Sequence, residues 1–172
     1  MKNLIALFIT LSALLLSSSS WAQDTQLDLS QYKGKVVYLD FWASWCGPCK
    51  ESFPWLNDLK KKYPDLKIIG VNLDKDSKTA DEFLKKYPAD FEIIYNPKGD
   101  MAEKFKVKGM PYSVIYNKKG ENKFSHIGFS KAKSQKYIEE IVEIACVEYF
   151  NTTLKDIYSV PKKRKGRPRP DS

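Results

Sequence analysis

Two patterns of apolar residues follow each other along the body of the chain, one typical of a strand and one typical of a helix. Residues 36–42 (VVYLDFW) form a nearly continuous apolar run, rich in β-branched and aromatic residues, that is typical of a buried strand. From Cys49 the apolar positions recur every three or four residues until Tyr63, which predicts an amphipathic helix with Pro54 inside it. The first helix is therefore expected to follow the first long strand directly.

Strand-like and helix-like patterns continue to alternate after residue 66. Strands are predicted at residues 67–72, 91–95, 112–117 and 123–127. Helices are predicted after the capping residues 74–77, at residues 101–105 and after Ser130. The resulting order β-α-β-α-β-α-β-β-α predicts an α/β protein with a mixed central sheet and helices on both faces.

Composition limits the class of protein. The chain has 172 residues, of which 42% are hydrophobic and 13% aromatic, enough for one domain with a buried core. Its formal net charge is +8, but residues 161–172 alone hold six Lys or Arg and one Asp. The remainder of the chain is close to neutral, so we expect no extended basic face for nucleic acid on the folded body.

The beginning of the chain predicts an export signal. Residues 1–22 combine a basic start, an apolar run at 4–16 and small residues at Ser20 and Ala22. This pattern is typical of a secretory signal peptide cleaved before Gln23. The apolar run is shorter than the ~20 residues that cross a bilayer, so no stable membrane span is expected in the mature form. The predicted location is periplasmic or otherwise exported.

The remaining boundaries follow from composition. Residues 23–150 are predicted to form the folded domain. Residues 151–172 are predicted to be a basic, disordered tail, because a run of Lys, Arg, Pro and Gly cannot bury apolar surface.

The main chemical signal is the sequence Trp45-Cys-Gly-Pro-Cys49, where the first strand passes into the first helix. Two cysteines separated by two residues at a helix start can close a small disulfide loop. The helix N-terminus offers amide groups and a positive dipole to Cys46, so its thiol pKa is expected below the usual ~8.5. Cys49 lies one turn deeper and is expected to be shielded and to react second. Pro48 needs no N–H early in a helix and restricts the loop.

This motif resembles the active site of the thioredoxin superfamily over residues 42–49 (WASWCGPC). The wider string 29–49 is similar to the exported TlpA/ResA-like thiol-disulfide oxidoreductases, and the similarity extends over about residues 27–145. Other positions that agree in register are Asp40, Pro54, Pro111 and Gly128. The resemblance implies a thioredoxin-like three-layer fold, in which residues 74–100 form a TlpA-like β/α insertion.

The resemblance also implies a substrate-binding surface. The Met110–Pro111 peptide bond is expected to be cis, with Pro111 against the disulfide and the Met110 backbone free to pair with an extended substrate segment. Trp45, Gly47 and Pro48 are expected to contact the substrate as well.

Proton transfer is assigned to Asp40, which matches the buried acid that takes or relays the proton of the second cysteine in thioredoxins. A carboxylate desolvated within a strand should have a raised pKa, which suits a base for Cys49. The lysine that pairs with this acid in ordinary thioredoxins is replaced here by Gly70, so proton handling is expected to differ. ResA-like proteins often carry an acidic residue just after the central strand, within reach of the disulfide, and the resemblance offers Asp74 or Asp76 for that place. Lys75 aligns equally near, so Asp74 and Asp76 are predicted to be loop or helix-capping residues.

These features predict an exported protein-disulfide oxidoreductase, working as a reductase. Cys46 would attack a substrate disulfide, and Cys49 would then release the reduced substrate from the mixed disulfide. No cofactor or metal is expected beyond the redox-active Cys46–Cys49 disulfide. The expected partners are substrate proteins with disulfides or dithiols and a membrane or soluble thiol electron donor, not nucleic acid.

Several alternatives remain open at this stage. A redoxin-type thiol peroxidase or antioxidant protein would need a threonine three residues before Cys46, where the chain has Ala43. Binding to anionic surfaces or nucleic acid would use residues 162–169. A structural zinc module would need the three cysteines with His126.

Two other residues that could carry chemistry are expected to be structural. We expect His126 to be a surface residue and Cys146 to be a packed, unpaired thiol.

Overall fold

The computed structural model describes residues 27–158, so the predicted signal peptide and the last basic residues lie outside the described residues. A short 3-10 helix, Leu29–Tyr32, precedes the first strand. The strands are β1 (Val37–Trp42), β2 (Lys67–Asn72), β3 (Glu92–Tyr95), β4 (Tyr112–Tyr116) and β5 (Asn122–Ile127). The helices are α1 (Cys49–Lys62), α2 (Ser77–Lys86), α3 (Asp100–Lys104) and α4 (Lys131–Tyr158). The predicted order of strands and helices is confirmed.

The five strands form one mixed sheet in the order β3-β2-β1-β4-β5. β1, β2 and β3 are parallel, whereas β4 is antiparallel to both β1 and β5. β1 lies in the centre and is buried at all of its positions, which explains its nearly continuous apolar sequence. Its carboxyl end leads straight into α1, so the two cysteines lie at this end of the sheet.

Both faces of the sheet are covered, which gives the predicted three layers. On one face Tyr38 of β1 packs in a cluster with Leu56 of α1 and Ile141 of α4. On the other face Leu39 packs in a cluster with Met101 of α3, and the segment around the 3-10 helix joins this side. Successive residues of β1 therefore serve opposite cores, as the pleat of a strand requires.

The segment predicted to be an insertion forms α2 and β3. Phe83 of α2 lies against Trp42 and Phe53, with ring centroids 4.9 Å and 5.0 Å away. At Gly70 of β2 a Cβ atom would lie 2.9 Å from Ile93 Cδ1 and 3.1 Å from Trp42 Nε1. A side chain at this position would overlap the packing of the insertion, which is a physical reason for glycine there.

The last helix is longer than the sequence pattern predicted. α4 continues past the predicted domain boundary at residue 150 and ends at Tyr158, so residues 151–158 are helical. Within residues 27–158, no helix combines the length and the apolar character needed to cross a bilayer.

Candidate active site

Cys46 and Cys49 are joined by a disulfide at the start of α1. Pro48 is the N-cap residue and Cys49 is the first residue of the helix. The Cys49 backbone N–H donates to Cys46 Sγ over 3.3 Å, so the helix start does offer an amide to the first sulfur. Cys46 is 4% exposed and Cys49 is fully buried, which confirms the prediction that Cys49 is the more shielded cysteine.

The cysteines are backed by an aromatic layer that we call the cysteine cluster. Its buried members are Trp42, Cys46, Cys49, Phe53, Ala80 and Phe83. Trp42 is fully buried and packs edge-on against Phe53 at 4.8 Å. Trp42 is therefore a core residue that backs the disulfide.

Residues from a distant part of the chain complete this end of the sheet. The Met110–Pro111 peptide bond is cis, as predicted. Met110 is partly buried and packs against the cysteine cluster. Pro111 is buried, and its carbonyl accepts a hydrogen bond of 2.7 Å from the Gly128 N–H. The residue predicted to pair with substrate thus lies beside the cysteines.

The outer side of the motif is open to solvent. Trp45 is 70% exposed, and Gly47 and Pro48 are also exposed. Ile127, at the end of β5, is another exposed large apolar residue, and its Cγ2 lies 3.1 Å from where a Cβ on Gly109 would be. Accessible apolar groups therefore flank the cysteine motif and the loop before Pro111, as a protein-binding surface would require.

Asp40 lies in the centre of the sheet, paired in register with Gly70 on one side and Ser113 on the other. It is 2% exposed, and its Oδ2 has no hydrogen-bond partner among the residues the structure describes. Burial raises the pKa of the Asp40 carboxyl well above its ordinary value of 3.8. The predicted direction of this shift is confirmed, and the position of the family's lysine is empty of any side chain.

Asp74 is not only a loop or capping residue, because its side chain is buried and hydrogen-bonded to the loop before Cys46. It is 5% exposed, and its carboxylate accepts hydrogen bonds of 2.8 Å from both the backbone N–H and the hydroxyl of Ser44. Asn72 Nδ2 donates to the same carboxylate over 2.7 Å. Asp74 thus ties the loop that leads into Cys46 to the end of β2. Asp76 is the N-cap of α2, as expected.

The contact of Asp74 with the loop before Cys46 was not predicted, although the sequence held a signal for it. Asn72 and Asp74 are polar residues at the carboxyl end of the strand next to β1, and neighbouring parallel strands end at the same edge. A carboxylate there is close to the loop that follows β1, whose Ser44 offers two donors.

Two further expectations need correction. His126 is not a simple surface residue, because its side chain is 14% exposed and its Nε2 lies 2.6 Å from Glu140 Oε2 of α4. Cys146 is unpaired, as expected, but it is exposed rather than packed. The surroundings of both residues depend on how α4 packs, which local sequence does not show.

Over the described part of the chain, no cluster of three or more His, Cys, Asp or Glu residues could hold a metal.

Comparison with protein families supports this arrangement. A family model described as thioredoxin-like matches residues 34–122, which include β1 to β4, both cysteines and the cis proline. The match therefore covers Asp40, both cysteines, Asp74 and Pro111.

Individual relatives agree with this match. Thiol-disulfide oxidoreductase ResA of Oceanobacillus iheyensis is 31% identical over 105 residues, which are 60% of this chain and 55% of that protein. The chain thus spans little more than half the length of this curated relative. A solved structure described as a candidate thiol:disulfide interchange protein DsbE from Chlorobium tepidum has a TM-score of 0.66 and 42% identity, covering 67% of this chain and 84% of that chain. The structure of StoA from Bacillus subtilis has a TM-score of 0.53 and 30% identity, covering 61% of this chain and 82% of that chain.

Proposed function

Because the chain belongs to the thioredoxin-like family, we propose that it is a protein thiol-disulfide oxidoreductase that reduces disulfides of exported proteins. The observation that carries the proposal is the Cys46–Cys49 disulfide at the N-terminus of α1, with the Cys49 amide directed at the Cys46 sulfur. A helix N-terminus stabilises a thiolate, and a thiolate is the species that attacks disulfides.

The proposed reaction has two steps. The Cys46 thiolate attacks one sulfur of a substrate disulfide, which forms a mixed disulfide and releases the other substrate sulfur as a thiolate. Asp40 then accepts the proton of Cys49, and the Cys49 thiolate attacks Cys46 Sγ. The second substrate sulfur leaves, and the enzyme retains the Cys46–Cys49 disulfide. The substrate gains the two electrons that the enzyme dithiol loses.

The burial of each group suits this order. Cys46 keeps a small exposed fraction, 4%, whereas Cys49 is fully buried and reaches only the Cys46 sulfur. Asp40 lies on the same face of β1 as Trp42, which packs in the cysteine cluster. The raised pKa of the Asp40 carboxyl is closer to the pKa of a thiol than that of an ordinary aspartate is. Proton transfer from the Cys49 thiol to Asp40 is therefore less unfavourable.

Substrate recognition would use the exposed side of the motif. Met110, next to the cis proline, offers its backbone to an extended segment of substrate, while Trp45, Gly47 and Pro48 contact its side chains. Backbone pairing with an extended peptide is tolerant of sequence, so the preferred substrates are unfolded or loop-exposed disulfides.

The reductase would act in the periplasm or another exported compartment, after removal of residues 1–22. The support is the signal-like sequence before Gln23, together with relatives named thiol-disulfide oxidoreductase and thiol:disulfide interchange protein. Because such compartments oxidise thiols, the enzyme would need a membrane or soluble thiol donor to return Cys46 and Cys49 to the dithiol form.

The test is reduction of insulin by dithiothreitol, with and without the purified mature protein. We expect the wild type to accelerate the reaction, Cys46→Ser to abolish the acceleration, and Cys49→Ala to accumulate a mixed disulfide with the substrate. Cys146→Ser is the matched control, because this third cysteine is exposed and outside the site. Undiminished insulin reduction by Cys46→Ser would contradict the proposal.

A further inference from the structure

A row of polar side chains crosses the sheet from the buried acid to its edge. Asp40 of β1 is paired in register with Ser113 of β4, and Ser113 is paired with His126 of β5. Residues directly opposite in antiparallel strands point to the same face, with Cβ atoms about 4.5–5.5 Å apart. Asp40, Ser113 and His126 are therefore consecutive neighbours on one face, and we call them the polar row.

The outer end of the polar row is closed by α4. His126 Nε2 lies 2.6 Å from Glu140 Oε2, and the His126 ring stacks on Tyr137 with centroids 4.2 Å apart. Glu140 is 7% exposed, and its other oxygen lies 3.8 Å from Lys136 Nζ, an ammonium group exposed to solvent. The row thus begins in the core and ends at partly exposed groups.

Hydroxyl groups lie around the inner part of the row. Burial is the main cause that raises the pKa of Tyr38, the charge of Asp40 raises it further, and Ser113 lowers it. Asp40 and Glu140 both raise the pKa of Tyr137, again after burial. Asp40 and Glu140 are therefore electrostatically close to the same hydroxyl groups, although one lies on β1 and the other on α4.

Such a connection answers a requirement of the proposed reaction. Asp40 must be ionised before it can accept the proton of Cys49, and it must lose that proton before the next turnover. It is almost completely buried, and Gly70 occupies the position that holds a lysine in ordinary thioredoxins. Proton exchange with solvent consequently needs a path through other side chains.

We propose that Ser113, His126 and Glu140 carry protons between the buried Asp40 and solvent, so that His126 and Glu140 act in the resolving step without touching the cysteines. This inference rests on the proposed reductase function. The proton leaves the Cys49 sulfur for an Asp40 oxygen, passes through the Ser113 hydroxyl, which accepts one proton and donates another, and reaches the His126 imidazole. His126, paired with Glu140, then releases it to solvent. No electrons move along the row.

The pH dependence of the step would reflect all groups that face Asp40 and His126. From the packed elements these are Tyr38 on β1, and Lys136, Tyr137 and Glu140 on α4, with Cys49 on α1 as the proposed proton donor. Replacing the His126 imidazole should therefore change how the rate of the resolving step depends on pH, and it should leave the attack by Cys46 unaffected.

The experiment is stopped-flow reaction of the reduced protein, in a Cys146→Ser background, with 5,5′-dithiobis(2-nitrobenzoate). Attack by Cys46 releases one coloured aromatic thiolate, and resolution by Cys49 releases the second. We expect His126→Gln and Ser113→Ala to slow the second release by about tenfold, a part of the 10²–10⁴ that proton transfer can contribute. The first release should keep the wild-type rate.

Matched controls lie on the same strand. Lys123→Gln removes a titratable group from β5, and Ser125→Ala removes a hydroxyl at a position pointing to the opposite face. Both should leave the two releases unchanged. Added imidazole should restore the second release in His126→Gln, which a purely structural defect would not allow.

The outcomes separate the relay from the reductase. If the wild type gives both releases and the variants match it in rate and pH profile, the relay is wrong while the reductase stands. A slow second release that imidazole does not restore also rejects the relay. A wild type that gives no second release and does not reduce insulin rejects the proposed function itself. If His126→Gln does not fold, Glu140→Gln carries the same expectation of a slower second release and an altered pH profile.

Discussion

Asp40 is an ionisable residue in the middle of an apolar strand, and its burial links folding to pH. Because the pKa of Asp40 is raised on folding, the folded protein holds this proton more tightly than the unfolded chain does. Its contribution to stability is therefore fully present below the ordinary value of 3.8 and is lost as pH rises through the raised value. Over that window the free energy of unfolding decreases with pH.

We predict that Asp40→Asn removes this dependence. At neutral pH and above, the variant should be more stable than the wild type by about 1 kcal/mol or more, the equivalent of roughly one pKa unit, because folding no longer requires the carboxyl to take up a proton or to bury its charge. It should also release the second thiolate more slowly, because an amide cannot accept the Cys49 proton. Urea unfolding of the oxidised protein between pH 4 and 9 measures the first effect. Parallel stability profiles of the two proteins would contradict it.

Asp74 acts on the site through the backbone of a neighbouring loop. Asp74→Ala leaves two donors of Ser44 and one of Asn72 without their acceptor, so we predict a loss of about 2–3 kcal/mol in unfolding free energy. The loop before Cys46 should also become looser, which should change the alkylation rate of Cys46 in the reduced protein.

Asp76→Ala is the natural comparison for Asp74→Ala. It removes only the cap of α2, which is expected to cost about 1 kcal/mol and to leave Cys46 alkylation unchanged. Equal alkylation rates in wild type and Asp74→Ala would show that the loop keeps its position without this carboxylate.

At the scale of elements, α2 is held to the site by its aromatic side chain. Phe83 is buried between Trp42, Phe53 and Tyr87. We predict that Phe83→Ala costs about 3–5 kcal/mol, because it opens a cavity within the cysteine cluster. Urea unfolding monitored by tryptophan fluorescence gives the measurement. Lys85→Ala, on the exposed side of the same helix, should change stability by less than about 0.5 kcal/mol.

α4 contributes differently from α2, because it supplies polar as well as apolar contacts. Ile141 and Ile144 anchor the helix in the core beside Tyr38, and Glu140 then lies where His126 ends the polar row. The same packing that stabilises the helix thus determines which charged group meets the histidine. A helix shifted by one residue would present a different side chain to His126.

On the scale of the whole molecule, redox chemistry and positive charge occupy separate parts of the chain. The residues of the site and of the polar row lie between positions 38 and 140, whereas the last residues carry a dense basic run. We predict that removing residues 159–172 leaves insulin reduction unchanged. The full-length protein should bind anionic vesicles less tightly as the salt concentration rises, and the truncated protein should not bind them. Slower insulin reduction by the truncated protein would show that the basic run takes part in the reaction.

Local pattern was sufficient for a large part of the fold. The order of strands and helices, the buried first strand, the cysteines at a helix start and the cap at Asp76 depend on residues close together in sequence. The cis bond before Pro111 and the burial of Asp40 came from the resemblance to known oxidoreductases, and the structure confirms both. Each of these features is either a short-range property or part of a motif in continuous register.

Contacts between distant segments were decided only by the tertiary structure. Strand register places Asp40, Ser113 and His126 side by side, and a shift by one residue would turn each of them to the other face. Packing of α4 pairs Glu140 with a histidine that was expected at the surface from the sequence. Hydrophobic periodicity by itself specifies which face of an element is buried, but the identity of the neighbour across the sheet depends on how all the elements pack together.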